Sequence, residues 1–188
     1  PAETEKWANR FEDLKQAINE NFWVEDGGYY ASWQYPEYMG NVLAEKTDVI
    51  ATGYAIYYDI ATPEMAERLM ENYPLVKYGA NTVYPQKRGK QFGAIYHNRG
   101  VWPGWEATLM EGAMKAGNHE LADEIMKSIM SAAARNLSNE EVINYETGAG
   151  NNAHRQLWSV AGHMASFYRV LFGMTYELDG IHFAPYVP

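Results

Sequence analysis

Two stretches of the chain, Ala51 to Met70 and Ala107 to Met126, align without a gap at an offset of 56 residues. Ala51/Ala107, Thr52/Thr108, Glu64/Glu120, Ala66/Ala122 and Met70/Met126 are identical, and Thr62 falls on Asn118. Thr62-Pro63-Glu64 reads as a helix start. The Thr side chain accepts from first-turn amides that have no helical partner, Pro63 takes a position where a missing N–H is no loss, and Glu64 is favoured by the helix dipole. The segment from Thr47 to Ile60 before it reads as a helix capped by Thr47 or an earlier residue. Each stretch is therefore a helical hairpin, present twice. Repeated hairpins that stack side by side bury a continuous core, as a solenoid or a closed toroid.

The flanks extend the helical reading. Thr4 to Phe22 places Trp7, Phe11, Leu14 and Ile18 on one stripe, and Asp26-Gly27-Gly28 ends it. Tyr29 to Tyr38, with Pro36, suits an irregular or short extended segment. A last helix runs from about Arg155 to Phe172, with Leu157, Val160, Ala161, Met164, Phe167, Tyr168 and Leu171 as its apolar face and Gly173 as its stop. Tyr176 to Val187, with Asp179-Gly180 at its centre, reads as two short strands in a hairpin. The expected fold class is all-α, an α/α toroid or about half of one, with residues 1–173 in the helical part and 174–188 in a β-hairpin. Between the repeated hairpins, 73–101 is a long connection with Pro74 and Pro85. A straight solenoid has no need of it, whereas an enzyme built on a toroid does.

The net charge of −9 is spread along the chain, which argues against a nucleic-acid or anionic-membrane partner. No apolar run approaches a membrane span, and with no cysteine there is neither a disulfide nor a thiolate metal site. No grouping of His and carboxylates has metal-ligand spacing, and no phosphate loop occurs, so neither a metal nor another cofactor is expected. Tyr (15) and Trp (6) are abundant, and many stand in segments that read as loops. These side chains join an apolar face to a polar handle.

The loop Tyr96-His97-Asn98-Arg99-Gly100-Val101-Trp102-Pro103-Gly104-Trp105-Glu106 empties into a helix whose first position suits Pro103. Indole and phenol faces stack on pyranose C–H surfaces while His, Asn and Arg bond hydroxyls, so Tyr96, His97, Asn98, Arg99, Trp102 and Trp105 are candidates for binding a sugar. Trp33 and Tyr145 join them from other aromatic loops. His154 and Arg155, at a helix start, suit an anionic sugar group. Glu146 in the Gly-rich loop 144–152, Glu141 before it and Glu106 beside the aromatic loop are candidate catalytic carboxylates. Asp48 is a weaker candidate, as a helix N-terminal acid.

These residues carry a resemblance. Tyr96 to Pro103 resembles the Tyr-His-Asn-Gly-x-Val/Ile-Trp-Pro signature of the six-hairpin glycosidases, the (α/α)6 toroids that include glycogen-debranching enzymes, trehalases and mannosyl-oligosaccharide glucosidases. Gln156-Leu157-Trp158-Ser159-Val160-Ala161 is similar to the Gln-Ala-Trp-Ser-Val-Ala run of the debranching enzymes, and Trp7 to Tyr30 to the trehalase segment just after the catalytic aspartate. The resemblance implies an inverting glycoside hydrolase with an Asp acid and a Glu base, a carbohydrate substrate, and a periplasmic or secreted location. It also implies that this chain, with about three of six hairpins, is the C-terminal half of the catalytic domain, its partner half and acid lying upstream in a longer parent chain. In trehalase-like relatives the base stands two residues before a Tyr. Here that position is Ile143, so the base is shared between Glu146 and Glu141. Two other readings stay open: an epimerase or isomerase using His97 and His163 as acid and base, and a glycan-binding helical scaffold without turnover.

Overall fold

The computed structural model describes residues 2–71, 73–86 and 96–187. Among the described residues six α-helices follow one another, α1 (Ala2–Phe22), α2 (Val49–Tyr57), α3 (Pro63–Glu71), α4 (Pro103–Lys115), α5 (His119–Asn136) and α6 (Leu157–Ala165), and the two repeated hairpins are α2 with α3 and α4 with α5. The helices α2, α4 and α6 form an inner row with α4 in the middle, and α3 and α5 lie outside it. This is a partial α/α toroid. A β-hairpin of β8 (Met174–Glu177) and β9 (Gly180–Phe183) closes the chain.

The repeat seen in the sequence is a repeat in space. Thr62 Oγ1 accepts from the Met65 amide at 3.2 Å, and Asn118 Oδ1 from the Leu121 amide at 3.0 Å, so the two outer helices start in the same way. Ala66, Ala122, Met70 and Met126 are all buried in one core. Asn118 does more than Thr62, because its Nδ2 donates to the Met70 carbonyl at 2.9 Å and ties the end of α3 to the start of α5. Thr62→Ala is expected to cost about 1 kcal/mol in urea unfolding, the usual loss of a cap, and Asn118→Ala about twice that. Equal losses would show that the bond to Met70 contributes nothing.

The inner row is tight because small residues meet across it. A Cβ at Gly53 of α2 would lie 2.7 Å from the Thr108 carbonyl carbon of α4, and one at Gly162 of α6 would lie 2.9 Å from Gly104 Cα. Such contacts let backbones approach more closely than ordinary side chains allow.

Short strands that the sequence did not announce fix where the inner helices begin. β3 (Thr47–Asp48) runs straight into α2 and pairs with β4 (Val83–Tyr84), Asp48 opposite Val83. β5 (Gly100–Val101) runs into α4 and pairs with β6 (Val142–Asn144), Gly100 opposite Asn144, and β6 pairs with β7 (Gly150–Asn151) ahead of α6. The Thr82 amide donates to the Gly100 carbonyl at 3.0 Å and joins the two sheets. A further hairpin, β1 (Trp23–Val24) with β2 (Tyr29–Tyr30), follows α1.

Three expectations are corrected. The cap of α2 is Asp48, whose Oδ1 accepts from the Ile50 and Ala51 amides, because Thr47 is held in β3 and its hydroxyl bonds Thr52. The last helix changes at Ser166 into a π-helical stretch, Ser166–Leu171, before Gly173 turns left-handed. Its packed face is also different: Ser159, Gly162, Ser166 and Val170 are buried, whereas Leu157 is 76% and Trp158 66% exposed. The stripe on α1 is likewise open at Trp7 and Leu14, and it reaches the core only toward Ile18 and Phe22. The connection 73–101 carries β4 and β5, and its residues 87–95 lie outside those described.

Candidate active site

The strands gather the loops that lead to all three inner helices at one end of the molecule. Asp48 stands at the start of α2. Burial pushes its carboxyl up, while the Ala51 and Ile50 amides and the nearby His97 pull it down. Trp102 precedes α4, and its carbonyl accepts from the Trp105 and Glu106 amides. The His97, Trp102 and Trp105 rings are parallel, with centroids 5.3, 5.2 and 4.2 Å apart, and Tyr96 meets Trp102 edge-on. The indole N–H of Trp102 is buried without a partner among the described residues. Asn98 lends its carbonyl to Asn81 Nδ2 at 3.2 Å.

The second loop crosses the first. Arg99 donates to Glu146 at 2.8 Å, the Tyr145 hydroxyl donates to the other Glu146 oxygen at 2.8 Å, and the guanidinium lies over the Tyr145 ring. The turn that carries Glu146 rests on the end of α5, where Asn136 Nδ2 donates to the Gly148 carbonyl. Glu141 stands at the other end of β6, accepting from the Ala153 amide at 3.2 Å. His154 bonds Glu140 through Nδ1 at 2.8 Å, and the Arg155 amide donates to Ser138. Residues from the first and second loops thus share one rim.

Other candidates lie elsewhere. Glu106 is fully buried on the side of α4 that faces α5, accepting from the Ala80 amide at 2.7 Å, with Ser128 Oγ at 3.1 Å. Trp33 sits in the loop leading to β3, edge-on to Tyr35. His163 stacks on Phe167 and bonds Asn139, a different set of neighbours from those of His97.

The inner row is concave. A cavity of about 790 Å³ opens along it, lined by Ile50, Tyr54, Trp105, Leu157, Trp158, Glu111 and Arg169 among others. Arg169 donates to Glu111 and to the Tyr57 hydroxyl. Sequence reasoning missed Tyr54 and Trp158 because an aromatic on a helix reads as core. For Trp158 its position at a helix start, just after a polar loop, was the available signal. It also missed Glu140, one of two adjacent acids that read as solvated. Among the described residues no cluster of three or more metal-ligating side chains occurs.

Three inner helices whose starts converge on one rim, backed by outer helices, define part of an α/α toroid with aromatic and charged loops at one end. No protein-family model and no curated protein sequence matches the chain. Solved structures do. An uncharacterized conserved protein from Thermus thermophilus, 22% identical, superposes with a TM-score of 0.69 over 89% of this chain and 40% of that one. The GH63 mannosylglycerate hydrolase of the same organism, 20% identical, superposes in its complex with glucose (TM-score 0.68, 89% of this chain and 41% of that one). It does so again in its complex with Tris and D-glycerate (TM-score 0.69, 89% and 39%). The likeness is one of fold, and the chain spans about 40% of the length of these structures.

Proposed function

We propose that this chain is part of a glycoside hydrolase that cleaves glycosidic bonds in an oligosaccharide or polysaccharide by the inverting route. One observation carries the reading: carboxylates, stacked aromatics and hydrogen-bonding side chains from separate loops meet where the inner helices of a toroid begin. Trp105, His97 and Tyr96 hold the sugar, backed by the buried Trp102, with Arg99, Asn98, Tyr145, His154 and Arg155 around them. One of Glu141 and Glu146 activates water, while an acid on the opposite ring face protonates the leaving oxygen, the two carboxyls about 6.5–9.5 Å apart. That acid, and the hairpins that complete the ring, come from the rest of a longer parent chain. Support comes from the open inner face and from the likeness to a GH63 hydrolase over about 40% of its length. Glu106 has a structural part in this reading.

The test is a panel of oligosaccharides and polysaccharides incubated with the parent chain and assayed for new reducing ends. Release from at least one is expected. Binding without release from any would turn the reading to a glycan-binding scaffold.

The open face makes a second prediction. Tyr54, Leu157 and Trp158 line the open groove and are 45%, 76% and 66% exposed, apolar surface of the kind that seeks a covering partner. The isolated 188-residue chain is expected to bind an anilinonaphthalene dye or to self-associate in sedimentation, and the parent chain to do neither. A monodisperse, dye-silent 188-residue chain would count against the half-toroid.

A further inference from the structure

Glu140 is almost wholly enclosed, 2% exposed, yet its carboxylate serves an imidazole that is 75% exposed. His154 Nδ1 lies 2.8 Å from Oε1 and 2.6 Å from Oε2, and Oε2 takes no hydrogen bond of its own among the described residues. The pair is held from several directions. The Glu140 carbonyl accepts from Ser159 Oγ at 2.7 Å in the first turn of α6, the Glu141 amide donates to the Ala153 carbonyl, and the Gln156 amide donates to the Asn139 carbonyl. Gly150 packs against it so closely that a Cβ there would lie 2.3 Å from Glu140 Cγ.

A carboxylate taken out of water to meet an exposed ring is costly if its only task is to tie a loop, since a neutral amide would serve. What an acceptor-only group does that an amide does not is dictate the tautomer. Nδ1 must carry the proton, and Nε2 of the neutral ring is left as an acceptor facing solvent. Sugar hydroxyls are donors. Trp158, in the first turn of α6, offers an exposed aromatic face on the same connection.

Resting on the carbohydrate reading above, we propose that Glu140 is a positioning residue that presents His154 Nε2 to accept a hydrogen bond from a neutral sugar hydroxyl. The negative charge beneath the ring makes the position a poor one for a sugar carboxylate. The pair therefore narrows the ligand from sugars in general to those bearing a hydroxyl at this point.

The test uses the ¹⁵N-labelled parent chain, titrated with D-glucose, D-mannose, D-galactose and D-glucuronate while the His154 resonances are followed. The Nδ1–H tautomer is expected before any sugar is added, together with a shift of Nε2 and Hε1 on adding at least one neutral hexose. Glu140→Gln, which permits either tautomer, should mix the two and weaken hexose binding about tenfold, the worth of one well-placed hydrogen bond. Gly150→Ala, which displaces the carboxylate without altering it, should do the same. An Nε2–H tautomer in the unaltered protein, His154 resonances unmoved by every neutral hexose, or a response to glucuronate alone would overturn the proposal. The hydrolase reading fails separately: hexose binding at His154 with no glycan ever cleaved removes that reading and keeps the pair.

Discussion

Exchanging the general base for its amide is expected to lower kcat on a cleaved glycan by about a thousandfold or more, and only one of Glu141→Gln and Glu146→Gln should do so. The amide is nearly isosteric and cannot take a proton from water, so binding survives while chemistry fails. Geometry supplies the control. Both Glu146 oxygens are engaged, one by Arg99 and one by the Tyr145 hydroxyl. If Glu146 merely holds the two loops together, Arg99→Ala and Glu146→Gln break the same link and should give similar, small losses, seen mainly in KM. If Glu146 is the base, its amide variant must be far worse than Arg99→Ala. Among the described residues Glu141 has no cation clamp of this kind. A large loss at Glu141 with equal small effects at Arg99 and Glu146 would assign the base outright. Full activity in both amide variants would remove the base assignment altogether.

What the sequence disclosed and what it hid follow from the range of the forces involved. Caps are local, so Thr62 and Asn118 could be found from a few neighbours, and the helices they start are where the repeat placed them. Asp48 displaced Thr47 as a cap because a two-residue strand claimed Thr47. Two residues carry no alternation that a reader could detect. The same holds for the two-residue β5 and β7 and for β6, only one residue longer, which bring the Pro103 loop and the 144–152 loop together. The aromatic loop itself was legible, since its residue types and the Pro103 start speak for themselves. The largest miss is on the last helix. Periodicity says which side of a helix is apolar, but not whether the chain itself covers that side. Here α6 meets α4 through Gly162 and Ser159, and the large apolar residues are left outward. The stripe on α1 is present as its spacing predicts and is uncovered for the same reason. In both cases the expectation failed because no described residue covers the apolar side. Glu140 was hidden because adjacent acids look alike until one of them is buried.

Glu106 carries the other large effect, on stability. Ser128 Oγ has a single proton and two neighbours, the Tyr78 carbonyl at 2.8 Å and Glu106 Oε2 at 3.1 Å. The carbonyl can only accept, so it takes the hydroxyl proton, and the contact to Oε2 is satisfied when Glu106 brings a proton of its own. Burial acts in the same direction. It pushes the carboxyl from 4.5 up to about 8, against the lowering effect of the Ala80 amide. The folded state thus holds a proton that the unfolded chain releases near 4.5. That contribution to stability is fully present below about 4.5 and is lost as pH rises toward 8, at up to about 1.4 kcal/mol per pH unit. Glu106→Gln keeps an acceptor for the Ala80 amide and a donor for Ser128 without a titrating proton. Its stability should lie within about 1 kcal/mol of the unaltered chain at about pH 5 and exceed it by a few kcal/mol at about pH 8, a difference read from urea midpoints across that range. Glu106→Ala orphans the Ala80 amide and leaves a void between α4 and α5, at a cost of roughly 3 kcal/mol at about pH 5. Parallel pH profiles for the unaltered and Gln chains would mean that Glu106 is ionised in the folded state, and the proton count at Ser128 would have to be reversed.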